Sequence, residues 1–436
     1  MSSLSSTTHF LLPPQSPAAG RAVLRLLGGL RHGRLDVQLP DGTQSRFGAA
    51  DAGGAHAAIR LANWNVCAAV LKTGDIGFAE SYIAGDWTTP DLAALMKLFV
   101  ANRDAVEAAV YGSWWGSLLY RAKHLLNRNS RRGSRKNIHA HYDLGNPFYR
   151  LWLDETMNYS SAWFDGDMMR GLVQAQHAKV GRALGECDLQ PGQRLLEIGC
   201  GWGALAEQAA GACGVRVTGV TLSSEQLAYA QKRLLDAGLA DLAELRLQDY
   251  REIADECFDA IVSIEMFEAV GREYWPGFFA TVRDKLKRGG QACIQTITIR
   301  GDLFERYTRG TDFIQQYIFP GGLLPSPSEF RAQARAAGLE VVNELAFGRD
   351  YAETLRRWRG RFLAQESQVR RAGFDTRFVR IWDFYLAYCE AGFDERDISA
   401  VQLVLAGPGW TRRHVSTFDG GGSVNRISPS SKSAVS

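Results

Sequence analysis

The chain has 436 residues, 46% of them apolar and 22% charged, which is enough for one large or two ordinary domains with a buried core. Its formal net charge of +3 is nearly neutral and indicates no polyanionic partner. The sequence contains no uncharged apolar run of about 18 residues, so we expect no membrane-spanning helix. The opening MSSLSSTTHFLLPPQSP lacks the basic start and apolar centre of a signal peptide. Scattered cysteines without ligand-like spacing predict a cytoplasmic protein with no metal site.

The first third of the chain predicts a small α+β domain. Residues 1–20 are rich in Ser, Pro and Ala and are expected to be flexible, and the domain follows over 21–120. Within it, alternating residues on both sides of Asp41-Gly42 predict a β-hairpin over Arg34–Phe47. The sequence gives no role for this domain.

Residues 121–136 form a basic segment that contains seven Lys or Arg residues and no acid. One interpretation is a solvated linker. A second is a peripheral contact with an anionic phospholipid surface, to which each basic residue contributes roughly 1 kcal/mol. A nucleic-acid partner is not expected, because no stacking platform or groove-reading helix accompanies the charges.

From 137 to 410 the chain alternates helical patterns with short apolar strands. The predicted strands are Arg194–Ile198, Val215–Val220, Ala243–Leu247, Ala260–Ile264 and Gln291–Ile299. Strands separated by helices predict an α/β fold with a doubly wound, Rossmann-like parallel sheet. Residues 411–436 are rich in Ser and Gly and are expected to be disordered.

The first of these strands runs into a glycine turn, LLEIGCGWG, over Leu195–Gly203. Gly199, Gly201 and Gly203 allow the backbone to approach a ligand closely, and Glu197 precedes them. The spacing is not that of the dinucleotide fingerprint. The next strand is also followed by Thr221 rather than by the acid that an NAD ribose requires. The pattern resembles the first motif of class I S-adenosylmethionine (AdoMet) methyltransferases.

Four further segments indicate a particular family of AdoMet methyltransferases. They are HYDLGNPFYRLWLD at 141–154, IEMFEAVG at 264–271, YIFPGG at 317–322 and DYAETL at 350–355. With the glycine turn, they resemble the cyclopropane-fatty-acyl-phospholipid synthases, closely over 137–407 and only in general layout before that. The resemblance implies transfer of the AdoMet methyl carbon to the double bond of an unsaturated phospholipid acyl chain. It also implies a peripheral location at the inner face of the membrane and makes a homodimer plausible.

The resemblance implies a set of cofactor contacts. It assigns Tyr159 and Ser160 to the methionine end of AdoMet, where the three glycines form a cradle. It assigns Thr221 and Gln226 to the ribose, and Asp249 with Tyr250 to the adenine, since a carboxylate can accept a hydrogen bond from the exocyclic amine of adenine. Glu197 either contacts the cofactor or orders the turn.

The implied chemistry explains the aromatic residues near these motifs. An isolated alkene is a poor nucleophile, so it must be aligned with the methyl donor away from water. Methyl transfer leaves a carbocation, which aromatic faces stabilise by about 0.5–2 kcal/mol each. The candidates are Tyr159, Trp163, Phe267 and Phe319. Core packing is the alternative explanation for each of them.

The resemblance further implies that a bound bicarbonate takes the proton that closes the ring. It assigns the anion to Glu268, Tyr351 and the Ile297 amide. Ser161 and Gln295 stand where the family's usual cysteine and histidine are expected. The serine hydroxyl and the glutamine NH₂ group are both hydrogen-bond donors, but glutamine cannot carry the positive charge that a histidine can. Proton loss from a neighbouring carbon, giving a methylene- or methyl-branched chain, therefore stays open beside cyclopropane formation.

Two other functions compete with lipid methylation. A small-molecule or RNA methyltransferase would need a catalytic side chain or base-reading surface that the sequence does not show. A lipid-binding pseudoenzyme would not need the intact glycines or Glu268. We therefore predict an AdoMet-dependent C-methyltransferase.

Overall fold

The computed structural model describes residues 16–48, 55–105 and 144–411. The strands within these residues are β1 (Arg34–Gln38), β2 (Gln44–Gly48), β3 (His56–Leu61), β4 (Trp87–Thr88), β5 (Arg194–Ile198), β6 (Arg216–Thr221), β7 (Ala243–Leu247), β8 (Phe258–Ile264), β9 (Leu286–Ile299), β10 (Glu340–Ala346) and β11 (Ile398–Ala406). The helices are α1 (Ala18–Leu27), α2 (Asn65–Thr73), α3 (Asp75–Ala84), α4 (Leu92–Ala101), α5 (Asn146–Arg150), α6 (Leu172–Gly185), α7 (Ala204–Cys213), α8 (Ser224–Asp236), α9 (Trp275–Lys285), α10 (Gly301–Arg309), α11 (Phe313–Tyr317), α12 (Pro327–Ala336), α13 (Gly348–Ala364), α14 (Glu366–Arg371) and α15 (Thr376–Asp394).

These residues divide into two compact units. The first contains the described residues up to 105 with 309–320 and 355–395, and the second contains 144–308, 321–354 and 396–411. The sequence predicted one uninterrupted domain over 137–410, but two parts of that range belong to the first unit. The reason is that α11 packs against α3, and α15 packs against α3 and α4. The basic segment 121–136 and residues 412–436 of the predicted tail lie outside the described residues.

The first unit contains a four-stranded sheet in the order β2-β1-β3-β4. Strands β1 and β2 pair antiparallel, with Gln38 opposite Gln44. In the turn between them the Leu39 amide donates to the Thr43 carbonyl at 2.9 Å. Gly42 has a φ of 88°, which glycine adopts at little cost. The predicted hairpin is confirmed.

Helix α15 is the longest helix of the first unit, at 19 residues. Its Asp383 accepts hydrogen bonds from Tyr82 Oη and Arg359 Nε, both at 2.6 Å. Its Glu390 is buried and accepts from Lys97 Nζ at 2.8 Å. These pairs tie a late part of the chain to the early helices. None of the helices in the described ranges is long and apolar enough to span a bilayer.

The second unit is built on a seven-stranded sheet in the order β10-β11-β9-β8-β5-β6-β7. Strands β5 to β9 pair parallel, and they are the five strands that the sequence predicted. Strand β11 was not predicted and lies antiparallel between β9 and β10. The doubly wound α/β core is therefore confirmed, with an antiparallel pair added at one side.

Apolar cores cover both faces of this sheet. Leu195 belongs to one cluster of buried side chains, whereas Leu196 and Ile198 belong to another. Successive strand residues point to opposite faces, so a strand that is buried on both reads as a continuous apolar run. The parallel strands end at the same edge, which brings the segments after Ile198, Thr221 and Ile264 together.

Phe267 belongs to this core. Its side chain is fully buried, and its ring centroid lies 5.0–5.5 Å from those of four aromatic neighbours. Those neighbours are Trp275, Phe278, Phe279 and Phe330. Packing of this kind accounts for Phe267 without a role in stabilising a cation.

Candidate active site

The glycine turn has the backbone that its composition predicted. Gly199, Gly201 and Gly203 have φ values of 89°, 49° and 81°. A Cβ on Gly199 would lie 2.9 Å from Met266 Cγ, and one on Gly203 would lie 2.9 Å from Ala230 Cβ. A Cβ on Gly201 would meet no atom within 4 Å. The outer glycines thus serve packing, and the backbone of Gly201 is the part open to a ligand.

Glu197 lies at the carboxyl end of β5 and is only 4% exposed. Its Oε2 has no hydrogen-bond partner among the described residues. Burial raises the pKa of Glu197 well above its usual range, and the Lys179 ammonium and the Ala206 amide partly offset this. A buried acceptor two residues before the glycine turn fits the ammonium group of a bound AdoMet.

The two residues predicted near the ribose lie together. Thr221 ends β6, and its Oγ1 donates to Gln226 Oε1 at 3.2 Å. Ser223 caps α8 by accepting from the Gln226 amide at 3.2 Å. All three residues are buried at the carboxyl edge of the sheet. Their hydroxyl and amide groups suit a ligand with hydroxyl groups.

Asp249 has a partner that the sequence analysis did not anticipate. The carboxylate is 1% exposed, and it accepts from Arg251 Nη2 at 2.5 Å and from Arg251 Nε at 2.8 Å. The acceptor expected for the adenine amine is therefore already in an ion pair. Tyr250 follows it, and burial raises the pKa of its hydroxyl to about 12, so this group stays neutral.

Tyr159 and Ser160 lie in different surroundings. The Tyr159 ring packs in an aromatic cluster, 5.5 Å from Tyr149 and 5.4 Å from Trp152 between centroids. Ser160 Oγ accepts from Lys179 Nζ at 2.6 Å. The aromatic cluster and the lysine together fix this loop.

Lys179 was missed by the sequence analysis. Its side chain is fully buried on α6, and Nζ also donates to Asn158 Oδ1 at 3.2 Å. Burial lowers the pKa of Lys179 to about 8, although the acidic side chains of Glu265, Asp154 and Glu197 favour its charge. The sequence could have indicated this burial, because Lys179 follows Ala175 by one helical turn and so lies on the apolar face of α6.

Glu265 was also missed, although it lies in the IEMFEAVG motif. Its Oε1 accepts from the Ser161 backbone amide at 2.9 Å and from Gln295 Nε2 at 2.8 Å. Its Oε2 accepts from Tyr351 Oη at 2.7 Å. The residue is partly exposed. Three of the residues predicted for catalysis therefore meet, and they meet on a carboxylate of the chain itself.

Glu268 makes a separate set of contacts. Its Oε1 accepts from the Ile297 amide at 2.5 Å and from Thr296 Oγ1 at 2.9 Å, whereas its Oε2 has no partner among the described residues. Burial, followed by the charge of Glu265, raises the pKa of Glu268 to about 8. Oε2 is the oxygen that would carry the proton when Glu268 is neutral, because no donor points at it from the described residues.

The donors that the resemblance assigns to bicarbonate do not fit a separate anion in this arrangement. The Tyr351 hydroxyl and the Gln295 amide are engaged by Glu265, and the Ile297 amide is engaged by Glu268. Ser161 Oγ donates to the Ala162 carbonyl at 2.9 Å instead of facing a ligand. A bicarbonate on these donors would have to displace a carboxylate of the chain.

The other aromatic candidates are placed separately. Trp163 is partly buried, and its backbone amide donates to the Ala175 carbonyl at 3.1 Å. Phe319 belongs to the first unit, where its ring lies 6.1 Å from that of Tyr385. Tyr159 lies near the glycine turn. Its ring contacts Tyr149, which in turn contacts Trp202 of that turn.

Together, the strand order, the glycine turn after β5 and the buried acid at the end of that strand define a class I AdoMet-dependent methyltransferase. The profile of the mycolic acid cyclopropane synthetase family matches residues 129–403. The chain belongs to this family, as the sequence predicted.

Individual relatives agree with this assignment. A tuberculostearic acid methyltransferase of Mycobacterium tuberculosis is 38% identical over 349 residues, covering 77% of this chain and 80% of that protein. A cyclopropane-fatty-acyl-phospholipid synthase of Escherichia coli is 36% identical over 364 residues, covering 83% and 91%. The crystal structure of a mycolic acid cyclopropane synthase complexed with SAH and CTAB is 34% identical, with a TM-score of 0.58, and covers 62% of this chain and 98% of that one.

A Gly201→Ala variant should lose AdoMet affinity. Its Cβ meets no protein atom but occupies the open side of the turn, so we expect binding of AdoMet or its demethylated product to weaken about tenfold or more. Isothermal titration calorimetry measures this. Gly192→Ala is the matched control, because Gly192 also has a positive φ (83°) and free space around it. Equal binding by the two variants would contradict the assignment.

Glu268→Gln should change how stability depends on pH. With the pKa raised from 4.5 to about 8, the native state keeps a proton that the unfolded chain has released. The stability from this difference is complete below pH 4.5 and is lost as the pH rises through 8. The neutral glutamine avoids that loss, so the variant should gain more than about 1 kcal/mol relative to wild type between about pH 6 and pH 9.

Thermal unfolding at both pH values measures the effect. Glu256→Gln serves as the control, because the Glu256 side chain is 96% exposed and should not change the pH dependence. A stability difference between Glu268→Gln and wild type that is the same at both pH values would contradict a neutral Glu268.

Proposed function

We propose that this enzyme transfers the AdoMet methyl carbon to the double bond of an unsaturated fatty acyl chain of a phospholipid, and that loss of a proton then closes a cyclopropane ring. The main supporting observation is the hydrogen-bonded cluster around Glu265, a partly buried carboxylate held by Ser161, Gln295 and Tyr351. Methylating an alkene needs no nucleophilic side chain, but it needs a base for the final proton. The names of the relatives, which include a fatty-acyl-phospholipid synthase, support this substrate class.

Several residues would hold the cofactor. The Gly201 backbone and the Oε2 atom of Glu197, which has no partner among the described residues, suit the methionine end, and the Thr221 and Gln226 side chains suit the ribose. When bound, AdoMet supplies an electrophilic methyl group. The chain's own contribution is orientation and an environment of low polarity, in which Tyr149, Trp152 and Tyr159 exclude water.

The final proton decides between two products. Loss from the added methyl group closes the ring, and loss from a neighbouring chain carbon leaves a methylene branch. The methylene branch is the second candidate product, because the 38% identical relative is named for methyl transfer and not for ring formation. Both products follow from the same cation, so they share every step up to the loss of the proton.

We propose, in addition, that the enzyme works at the inner face of the membrane as a peripheral protein. The substrate's acyl chain lies in a bilayer, and the basic segment 121–136 carries the charge that anionic head groups attract. This segment lies outside the described residues, so the proposal rests on its sequence.

Purified enzyme with labelled AdoMet and vesicles of unsaturated phospholipid should yield labelled fatty acids. Mass spectrometry should find a gain of one CH₂ unit, and mild hydrogenation should leave a cyclopropane product unchanged but reduce a methylene product. Vesicles of fully saturated phospholipid are the control, because they offer no double bond. The absence of any mass gain across several double-bond positions would contradict the proposed function.

Neutralising Arg131, Arg132 and Arg135 with glutamine should weaken binding to anionic vesicles. Each residue is expected to contribute roughly 1 kcal/mol at low salt. Vesicle co-sedimentation measures this, and neutral vesicles provide the control, to which wild type and variant should bind equally. Unchanged binding to anionic vesicles would identify the segment as a linker.

A further inference from the structure

Glu265 has the contacts of a bound anion. It accepts three hydrogen bonds from donors on three separate segments of the second unit. A carboxylate and a bicarbonate share a planar O–C–O group with one negative charge. A donor set that holds one of them therefore suits the other.

The donors are oriented toward Glu265 by their own partners. Gln295 Oε1 accepts from Gln402 Nε2 at 2.9 Å, which turns the Gln295 NH₂ group to the Glu265 side. Gln402 is fixed in turn, because its Oε1 accepts from Arg182 Nη1 at 2.5 Å. Both glutamines are fully buried. Each side chain in this series donates to the next, from Arg182 through Gln402 and Gln295 to Glu265. Gln295 therefore acts as a donor to Glu265.

The backbone at Glu265 is costly for a residue with a side chain. Its φ is 49°, in the left-handed region, which costs about 1–2 kcal/mol for a residue other than glycine. The position follows β8 directly, and the Glu265 amide donates to the Gln295 carbonyl at 2.8 Å. A strained residue that presents its side chain to three donors indicates a function for that side chain.

One lone pair of the carboxylate remains for chemistry. Oε1 takes two donors, so both of its lone pairs are engaged, whereas Oε2 takes only the Tyr351 hydroxyl among the residues that the structure describes. Glu268 takes two donors, both on Oε1, and its Oε2 has no partner among the described residues. Burial raises the pKa of both carboxyl groups, but Glu265 has three donors and the Lys179 ammonium to favour its charged form. We therefore assign the negative charge of the pair to Glu265, whose Oε2 can accept a proton.

We propose that Glu265 is the resident base of this enzyme and does the work for which a separate bicarbonate would otherwise be needed. The inference rests on the proposed function. The C–H bond of the cationic acyl chain breaks, and its electron pair forms the new carbon–carbon bond of the product. The proton moves to Glu265 Oε2, which becomes a neutral acid and returns the proton to solvent after product release. No oxidant or other co-reactant is required.

Anion dependence of the wild-type enzyme is the first test. The vesicle assay is run in buffer stripped of carbon dioxide and again with added bicarbonate. We expect equal rates, because the base belongs to the chain. A rate that falls about tenfold or more on removal of bicarbonate would overturn the proposal. This arm does not depend on the folding of any variant.

Replacement of the carboxylate is the second test. Glu265→Gly removes the base and relieves the positive φ, so the variant should fold, yet its turnover without added anion should fall about 100-fold or more. Bicarbonate or formate should restore part of the rate. Glu256→Gln, at an exposed position, should match wild type. Full activity of Glu265→Gly without an anion would overturn the proposal.

Anion binding gives a readout that does not require turnover. In the presence of demethylated cofactor, formate should raise the melting temperature of Glu265→Gly but not that of wild type. Stabilisation of wild type by bicarbonate or formate to the same extent, or of neither protein, would overturn the proposal. A wild-type enzyme that makes no product on any vesicle would instead count against the proposed function, and the binding result would still be decisive for Glu265.

Discussion

A partly buried negative charge needs hydrogen-bond donors, and the second unit supplies three of them to the Glu265 carboxylate. They come from the loop before α6, from β9 and from the start of α13. The partners Ser161 and Tyr351 are 104 and 86 residues away along the chain. The active site thus depends on tertiary structure more than on any local motif, and the sheet provides that structure by bringing the ends of β8 and β9 together.

Lys179 balances the charges around this site. It is a buried cation whose charge is favoured by Glu265, Asp154 and Glu197, while burial opposes it. Carboxylates around one ammonium favour a cationic ligand such as a sulfonium to the extent that they are ionised. Burial opposes this by raising the pKa of Glu197 and of Glu265.

Much of the fold was predictable because its causes are local. The apolar strands of the parallel sheet and the glycine turn are visible as short patterns. Phe267 was placed among candidates for cation stabilisation because composition does not distinguish a core ring from a site ring, and its four aromatic neighbours settle it as core. Glu265 lies in a motif that the sequence analysis used, but it received no role because its partners lie far from it in the sequence. Nor does a motif show that Ser161 contributes its backbone amide and not its hydroxyl.

Strand β11 is synthesised after every other strand of the seven-stranded sheet, yet it lies between β9 and β10. It places Gln402 directly opposite Gln295, whose amide it orients. A nascent chain that has not yet made β11 has β9 without its neighbour on that side and leaves Gln295 free to turn. The hydrogen-bond arrangement around Glu265 is therefore complete only once the last strand of the sheet has been added.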